Sequence, residues 1–179
     1  MEDEKILMVL EAYKAYFRNL AFEELPRIAK KYLGPDAGFV EVSEVMARAT
    51  ARELPHLIRM VGSSVDLNKD PLEVLELHYG CHKLARAVAH DDEIALLTPK
   101  REGDDRLVLE SSALPKNLEE NPLVAASYAG VVVGVLRALG CKARAMRRPE
   151  LRKHMEAGTY AVWVEVGKDS FRVVVERIR

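Results

Sequence analysis

Residues 121–166 decide the fold of this chain, and they read NPLVAASYAGVVVGVLRALGCKARAMRRPELRKHMEAGTYAVWVEV. The pattern predicts an apolar helix over 122–139. Gly140 ends it, because glycine tolerates the left-handed backbone that commonly terminates helices. A short strand over 142–147 and a strand over 159–166 follow, with a glycine turn before the second. A helix beside such strands indicates a layer of helix on sheet.

Two glycines, Gly130 and Gly134, lie four residues apart on that helix and therefore on one face. Each glycine costs about 1 kcal/mol relative to alanine inside a helix, so a close contact should compensate. Three occupants are open: a helix of the same chain, a partner subunit or a ligand chain. Tyr128 lies on the same helix and is a candidate ligand contact with the two glycines.

The residues before position 90 carry apolar side chains three and four apart, which predicts helices over about 3–20, 22–32, 44–61 and 70–89. Residues 34–38 should break the chain, and Ser43 should cap the third helix. Pro55 should bend or interrupt that helix. Asp70 and Pro71 fit the cap and first position of the fourth helix.

After position 93 the period changes to that of strands. Residues 94–97 and 106–109 flank a polar tip over 100–105, which predicts a hairpin. Residues 159–166 and 170–178 predict a second hairpin. We therefore expect an α+β fold in a single domain over 1–179. Its N-terminal part, 1–90, should be mainly helical and should pack on a small, mainly antiparallel sheet. That sheet should come from 91–179, which also contains the apolar helix 122–139.

Composition suits a soluble globular protein, with 49% hydrophobic and 31% charged residues and a net charge of −1. The net charge gives no general attraction to nucleic acid or anionic membranes. No apolar run approaches the roughly 20 residues of a membrane span. The acidic start, Met1 to Glu4, does not resemble a secretory signal, so we expect a cytoplasmic protein. The absence of glutamine favours a thermophilic source.

His78, Cys81 and His82 form the clearest cluster of metal-ligand side chains. Their spacing places them on one face of a helix, where they could bind zinc or haem iron. The alternative is a packed, hydrogen-bonded histidine beside a buried thiol, since His78 and Cys81 fall on an apolar stripe that includes Val74 and Leu77. Cys81 and Cys141 are the only cysteines; they are either two separate thiols or a disulfide.

Other signatures are weak. Basic residues cluster over 142–153, but Glu150 interrupts them and no aromatic side chains interleave, so we expect a solvated face and no nucleic-acid site. No serine lies in a nucleophile-elbow motif, and no glycine-rich loop follows a strand. The sequence therefore leans away from an enzyme.

The order of elements resembles the core subunits of TRAPP, the transport protein particle, and the related hydrocarbon-binding domain of the vinyl-4-reductase type. The resemblance rests on the strand 107–110, Tyr128 and the segment Gly134 to Arg137, and it covers about residues 70–166. It implies a homodimer formed through helices and an apolar channel.

Our leading hypothesis is therefore a non-enzymatic, dimeric binding or scaffold module without a cofactor. Its apolar pocket would hold a small hydrophobic or acyl ligand near the side chains Cys81, His78, Tyr128, Gly130 and Gly134. The alternative is a metal- or haem-binding sensor or enzyme that uses His78, Cys81 and His82.

Overall fold

The computed structural model describes residues 2–61, 69–89, 97–111 and 113–179, and within these ranges the side chains of 2–7, 10, 13, 14, 57–61 and 81–89 are outside the description. The helices are α1 (Glu2–Asn19), α2 (Leu25–Val61), α3 (Pro71–Ala89) and α4 (Val124–Ala138). A π-helical segment, Leu20–Glu24, joins α1 to α2, and a 3-10 helix spans Pro149–His154. The strands are β1 (Thr98–Arg101), β2 (Arg106–Ser111), β3 (Ala143–Ala145), β4 (Tyr160–Val166) and β5 (Phe171–Arg177).

The strands of the described residues form one sheet in the order β1-β2-β5-β4-β3. Every neighbouring pair is antiparallel except β3 and β4, which run parallel. The prediction of an α+β fold, with helices first and a mainly antiparallel sheet in the C-terminal half, is confirmed.

The first hairpin begins later than the sequence predicted. β1 is Thr98–Arg101, so Lys100 and Arg101 belong to the strand and not to the tip, while residues 94–96 lie outside the described part of the chain. The Arg101 guanidinium donates to the carbonyl oxygens of Gly103 and Asp104 and also binds Asp70. These bonds hold the turn between β1 and β2.

Side chains alternate between the two faces of the sheet, and apolar clusters cover both faces. Leu107, Leu109, Val173 and Val175 point into the main core beneath the helices. The alternate positions Val108, Trp163 and Val174 form a smaller core on the other face. The guanidinium groups of Arg106 and Arg152 lie 5.6 Å and 5.5 Å from the centroid of the Trp163 ring.

The predicted break over 34–38 falls within α2 at Gly34, whose φ of 72° and ψ of −176° are not helical, so two helices meet there. The second of them begins earlier than predicted, because residues 35–43 belong to it. A residue before proline is disfavoured in the helical region, and Pro35 follows Gly34. Ser43 is therefore no cap: it lies inside α2 and donates to the Val40 carbonyl oxygen at 3.0 Å. The helix also continues through Pro55.

Helix α4 ends as predicted. Gly140 has a φ of 79°, and its N–H donates to the Arg137 carbonyl oxygen while the Cys141 N–H donates to that of Leu136. This pair of bonds is a Schellman motif, which satisfies carbonyl groups left free at the helix end. It turns the chain directly into β3.

Candidate functional site on helix α3

Helix α3, which positions His78, is anchored at its start as the sequence predicted. The Leu72 N–H donates to the Asp70 carboxylate at 3.2 Å, and the other carboxylate oxygen accepts from Arg101 of β1 at 2.6 Å. Asp70 therefore caps the helix and fixes it to the edge of the sheet. This one carboxylate therefore joins the first turn of α3, the helix that carries His78, to strand β1.

The buried face of α3 matches the predicted stripe at Val74, which is 4% exposed, and differs from it at other positions. Leu72, Leu75 and Tyr79 are buried, whereas Leu77 is 46% exposed. Positions 72, 75 and 79 are three and four apart, so they form the face that packs against β1 and β2. His78 lies at the border of that face and is half-buried. The prediction that Leu77 faces the core was wrong.

The His78 ring packs edge-on against the Tyr79 ring, with 5.1 Å between centroids and an interplanar angle of 87°. Tyr79 itself is buried in the main core. Burial raises the pKa of Tyr79 far above its ordinary value, and nearby Tyr128 raises the pKa further. The Tyr79 hydroxyl therefore stays neutral, and the Tyr79 ring packs against the imidazole.

Tyr128 belongs to an aromatic cluster of the core. Its ring centroid lies 4.9 Å from those of Phe22 and Phe171, and the tyrosine is only 6% exposed. These contacts join the π-helical segment, α4 and β5. Its predicted place beside a ligand is therefore taken by protein side chains.

The space beside Gly130 and Gly134 is filled by α2 of the same chain. A Cβ atom at Gly130 would lie 2.5 Å from the Ser43 carbonyl oxygen, and one at Gly134 would lie 2.7 Å from that of Ala47. The close contact that the glycines require is thus helix packing within one chain. The expectation that they contact a ligand is corrected by this geometry.

Arg137 fastens the same interface at its end. Two of its nitrogens donate to the two carboxylate oxygens of Glu44, at 2.8 Å and 3.0 Å, and the guanidinium also binds the Ala143 carbonyl oxygen. The hydrogen bond from Arg137 lowers the pKa of Glu44 below its ordinary value. Arg137 therefore links α4 to both α2 and β3.

The cysteines do not form a disulfide, because Cys141 is a free, half-buried thiol. Burial raises the pKa of Cys141, so its thiol is a weak nucleophile. The side chains of Cys81 and His82 lie outside the described residues, although the backbone of α3 continues through both positions.

Among the described side chains, no three histidine, cysteine, aspartate or glutamate residues converge as a metal site would need. In the same part of the chain, no helix has both the length and the apolar character to cross a membrane. A zinc or haem role for the cluster thus depends on His78 together with the two positions beyond it on α3.

The fold resembles that of H-NOX proteins. A structure from work on haem distortion in the H-NOX family has 10% sequence identity and a TM-score of 0.50, covering 87% of this chain and 69% of its own. A mutant of T. tengcongensis H-NOX has 11% identity and a TM-score of 0.51, covering 87% and 70%. A Cs H-NOX mutant with an unnatural amino acid has 10% identity and a TM-score of 0.51, covering 97% and 96%. No protein-family model and no curated protein sequence matches the chain.

These comparisons overturn the TRAPP and hydrocarbon-binding resemblance, since the similar solved structures are H-NOX domains. The hypothesis of a TRAPP-like scaffold with a hydrophobic or acyl ligand, which followed from that resemblance, is wrong with it. The expectation of no cofactor is contradicted too, because haem is the group studied in the neighbouring H-NOX family. At 10–11% identity the likeness shows the fold alone.

The structure brings together only part of the predicted site. Tyr128, Gly130 and Gly134 lie on α4 in the packed core, and His78 lies on α3 at the border of its buried face. The exposed apolar side chains of α1 and of residue 20 after it were not identified from the sequence as a site. These side chains are Met8, Val9, Tyr16, Phe17 and Leu20. Their spacing alone gave no sign that they would remain exposed.

Proposed function

We propose that this chain is a haem-binding sensor domain whose iron ligand comes from the His78, Cys81 and His82 cluster on α3. The observation that carries the proposal is the position of His78, a half-buried imidazole at the border of the packed face in a fold like that of H-NOX domains. Haem is the group named for that family. The proposal includes no catalytic step.

The residues present fit haem in their donor chemistry. Imidazole and thiolate are both common axial ligands of haem iron, and the protein tunes the iron through the ligand and its neighbours. His78 is the first candidate because its ring is oriented by Tyr79. Cys81 and His82 stand three and four residues further along, on the same side of a helix.

The exposed apolar side chains of α1 support the same proposal. Met8 is 73% exposed and Phe17 is 59% exposed, and they lie on a helix that packs mainly against the adjoining π-helical segment. A porphyrin is a flat apolar body that needs such a cover. A homodimer through α1 would use the same surface, and it is a separate proposal from haem binding. The cytoplasmic location is a further prediction.

Haemin titration of the purified full chain tests the proposal. We expect a Soret band that saturates at one haem per chain, and we expect His78→Ala to shift or abolish it. His154→Ala is the matched control, because His154 is exposed on the 3-10 helix. Circular dichroism of each variant shows whether the fold is intact.

Cys81→Ala and His82→Ala then identify the ligand, because a thiolate and an imidazole give different Soret spectra. If all three variants keep the wild-type spectrum, the cluster does not hold the iron. If wild-type protein gives no saturable band, the haem proposal fails. If the purified protein is colourless and contains one equivalent of zinc, and if His78→Ala loses that zinc, then the cluster is a zinc site and not a haem site. Sedimentation equilibrium with and without haemin measures the dimer separately.

A further inference from the structure

A second surface lies at the opposite edge of the sheet from β1. Strand β3 is the last strand of the sheet, and α2 passes beside it. Between them is a groove of about 450 Å³, which we call the β3 groove. Its walls come from α2 on one side and from β3 with the following 3-10 helix on the other.

The rim of the β3 groove carries excess positive charge. Arg144, Arg147 and Arg148 line it, and Asp36 is the one carboxylate among its lining residues. Both Arg147 and Arg148 bind that carboxylate, which cannot neutralise two guanidinium groups. Arg144 is exposed, so its charge faces solvent at the same rim.

The floor and walls of the groove are apolar. Val40 on α2 is 46% exposed, and Leu151 on the 3-10 helix is 49% exposed. Both line the groove, as do Met146 and Met155. Single exposed apolar residues are common on protein surfaces. Here they come from two separate elements and meet in one concave site, which favours an apolar occupant.

The edge of β3 adds backbone groups. The Met146 N–H donates to Val162 of β4, and the Lys142 carbonyl accepts from Tyr160. Backbone groups alternate in direction along a strand, so those of residues 143 and 145 point away from β4. The Ala143 carbonyl oxygen is already bound by Arg137, whereas Ala145 lines the groove.

We propose that the β3 groove binds an acidic segment of a partner protein that also carries apolar side chains. The three arginines attract its carboxylates, the walls around Val40 and Leu151 accept its apolar side chains, and Ala145 offers strand-type hydrogen bonds. Nucleic acid fits less well, because the described lining residues include no phenylalanine, tyrosine or tryptophan for base stacking, and His154 supplies one imidazole ring in place of a row of stacking platforms. A membrane surface is flat, whereas this site is concave. The proposal is independent of haem.

Fluorescence anisotropy with a labelled synthetic peptide tests it. The probe is a ten-residue peptide that alternates glutamate and leucine, and a second probe replaces leucine by serine at equal charge. We expect Arg144→Glu to weaken binding of the first probe by at least about tenfold. We expect Leu151→Ser to weaken it by about fivefold. Lys168→Glu, an equal charge change in the exposed β4–β5 turn, should alter binding by less than about twofold.

The controls decide between occupants. Equal affinity for the two probes would show that the apolar walls play no part and would overturn the proposal. Equal loss in Lys168→Glu would show general charge attraction and would overturn it as well. Binding of single-stranded DNA or of vesicles with anionic lipid, in the absence of peptide binding, would replace the partner protein by those ligands. Circular dichroism of each variant confirms that a lost signal reflects the groove and not unfolding.

Discussion

The α2–α4 interface and helix α1 both carry apolar side chains, but those at the interface are buried and the large ones described on α1 are exposed. At the interface, Gly130 and Gly134 let two backbones approach closely, and neighbouring side chains such as Val133 are 1% exposed or less. On α1, Tyr16 is 61% exposed and Phe17 is 59% exposed. An apolar stripe therefore marks a surface that needs a partner, and glycines on it indicate close backbone packing. Only the fold shows that the partner of Gly130 and Gly134 is α2 of the same chain.

The largest effect should follow from filling the α2–α4 contact. Gly130→Ala places a Cβ against the backbone of Ser43, which cannot move without shifting α2. We expect the free energy of unfolding to fall by about 2 kcal/mol, measured by urea denaturation, even though alanine favours helices. The matched control is Gly80→Ala on α3, where a Cβ would have nothing within 4 Å.

Gly80→Ala should raise the free energy of unfolding by about 0.5–1 kcal/mol, because alanine loses less backbone entropy than glycine in a helix. If Gly130→Ala behaves like Gly80→Ala, the contact between α2 and α4 is looser than described. The contrast between a packed interface and an exposed α1 would then be lost.

The sequence predicted the helices and strands better than it predicted which of their faces contact each other. Local signals found the helix start at Asp70 and the glycine end at Gly140, because capping depends on residues close in sequence. Alternation found both strands of the last hairpin. What local signals cannot supply is which face of a helix meets which neighbour, and so Leu77 was assigned to the core although the face with Leu72 and Tyr79 packs on the sheet.

The candidate site was predictable to the same degree. Spacing identified His78, Cys81 and His82 as one face of a helix, and that statement needs only the helix period. The β3 groove was not predictable, because Asp36 and Val40 are more than a hundred residues from Arg147 and Arg148 in sequence. The basic cluster over 142–153 was visible, but the opposite wall of the groove, with Val40 and Asp36, comes from α2.

A smaller loss of stability should follow from breaking the contact between α4 and the π-helical segment that follows α1. The Ser127 hydroxyl of α4 is fully buried and donates to the Ala21 carbonyl oxygen in the π-helical segment at 2.7 Å. Ser127→Ala removes that donor and leaves a buried acceptor, so we expect a loss of about 1–2 kcal/mol in the free energy of unfolding.

Ser43→Ala is the control for Ser127→Ala, since Ser43 is also buried in a helix but donates only to Val40 of its own helix. We expect it to cost less than Ser127→Ala in the same urea experiment. Equal losses would mean that the bond between α4 and the π-helical segment adds nothing to the joint. The position of α1 would then have to be fixed by other contacts.

The smallest effect should be a pH dependence at the end of the α2–α4 interface. Because Arg137 lowers the pKa of Glu44 in the folded chain, folding is stabilised above the unfolded pKa, and this contribution is lost as pH falls through the folded pKa. The Glu44 side chain is 40% exposed, so water screens the pair and its contribution should stay below about 1 kcal/mol. Urea midpoints at about pH 7 and about pH 3.5 should therefore differ less in Glu44→Gln than in the wild type. Glu41→Gln, an exposed change one turn earlier on α2, should keep the wild-type difference. If both variants keep the wild-type difference in urea midpoint, the acid sensitivity of the fold arises outside the α2–α4 interface. The ion pair of Arg137 with Glu44 would then add nothing to it.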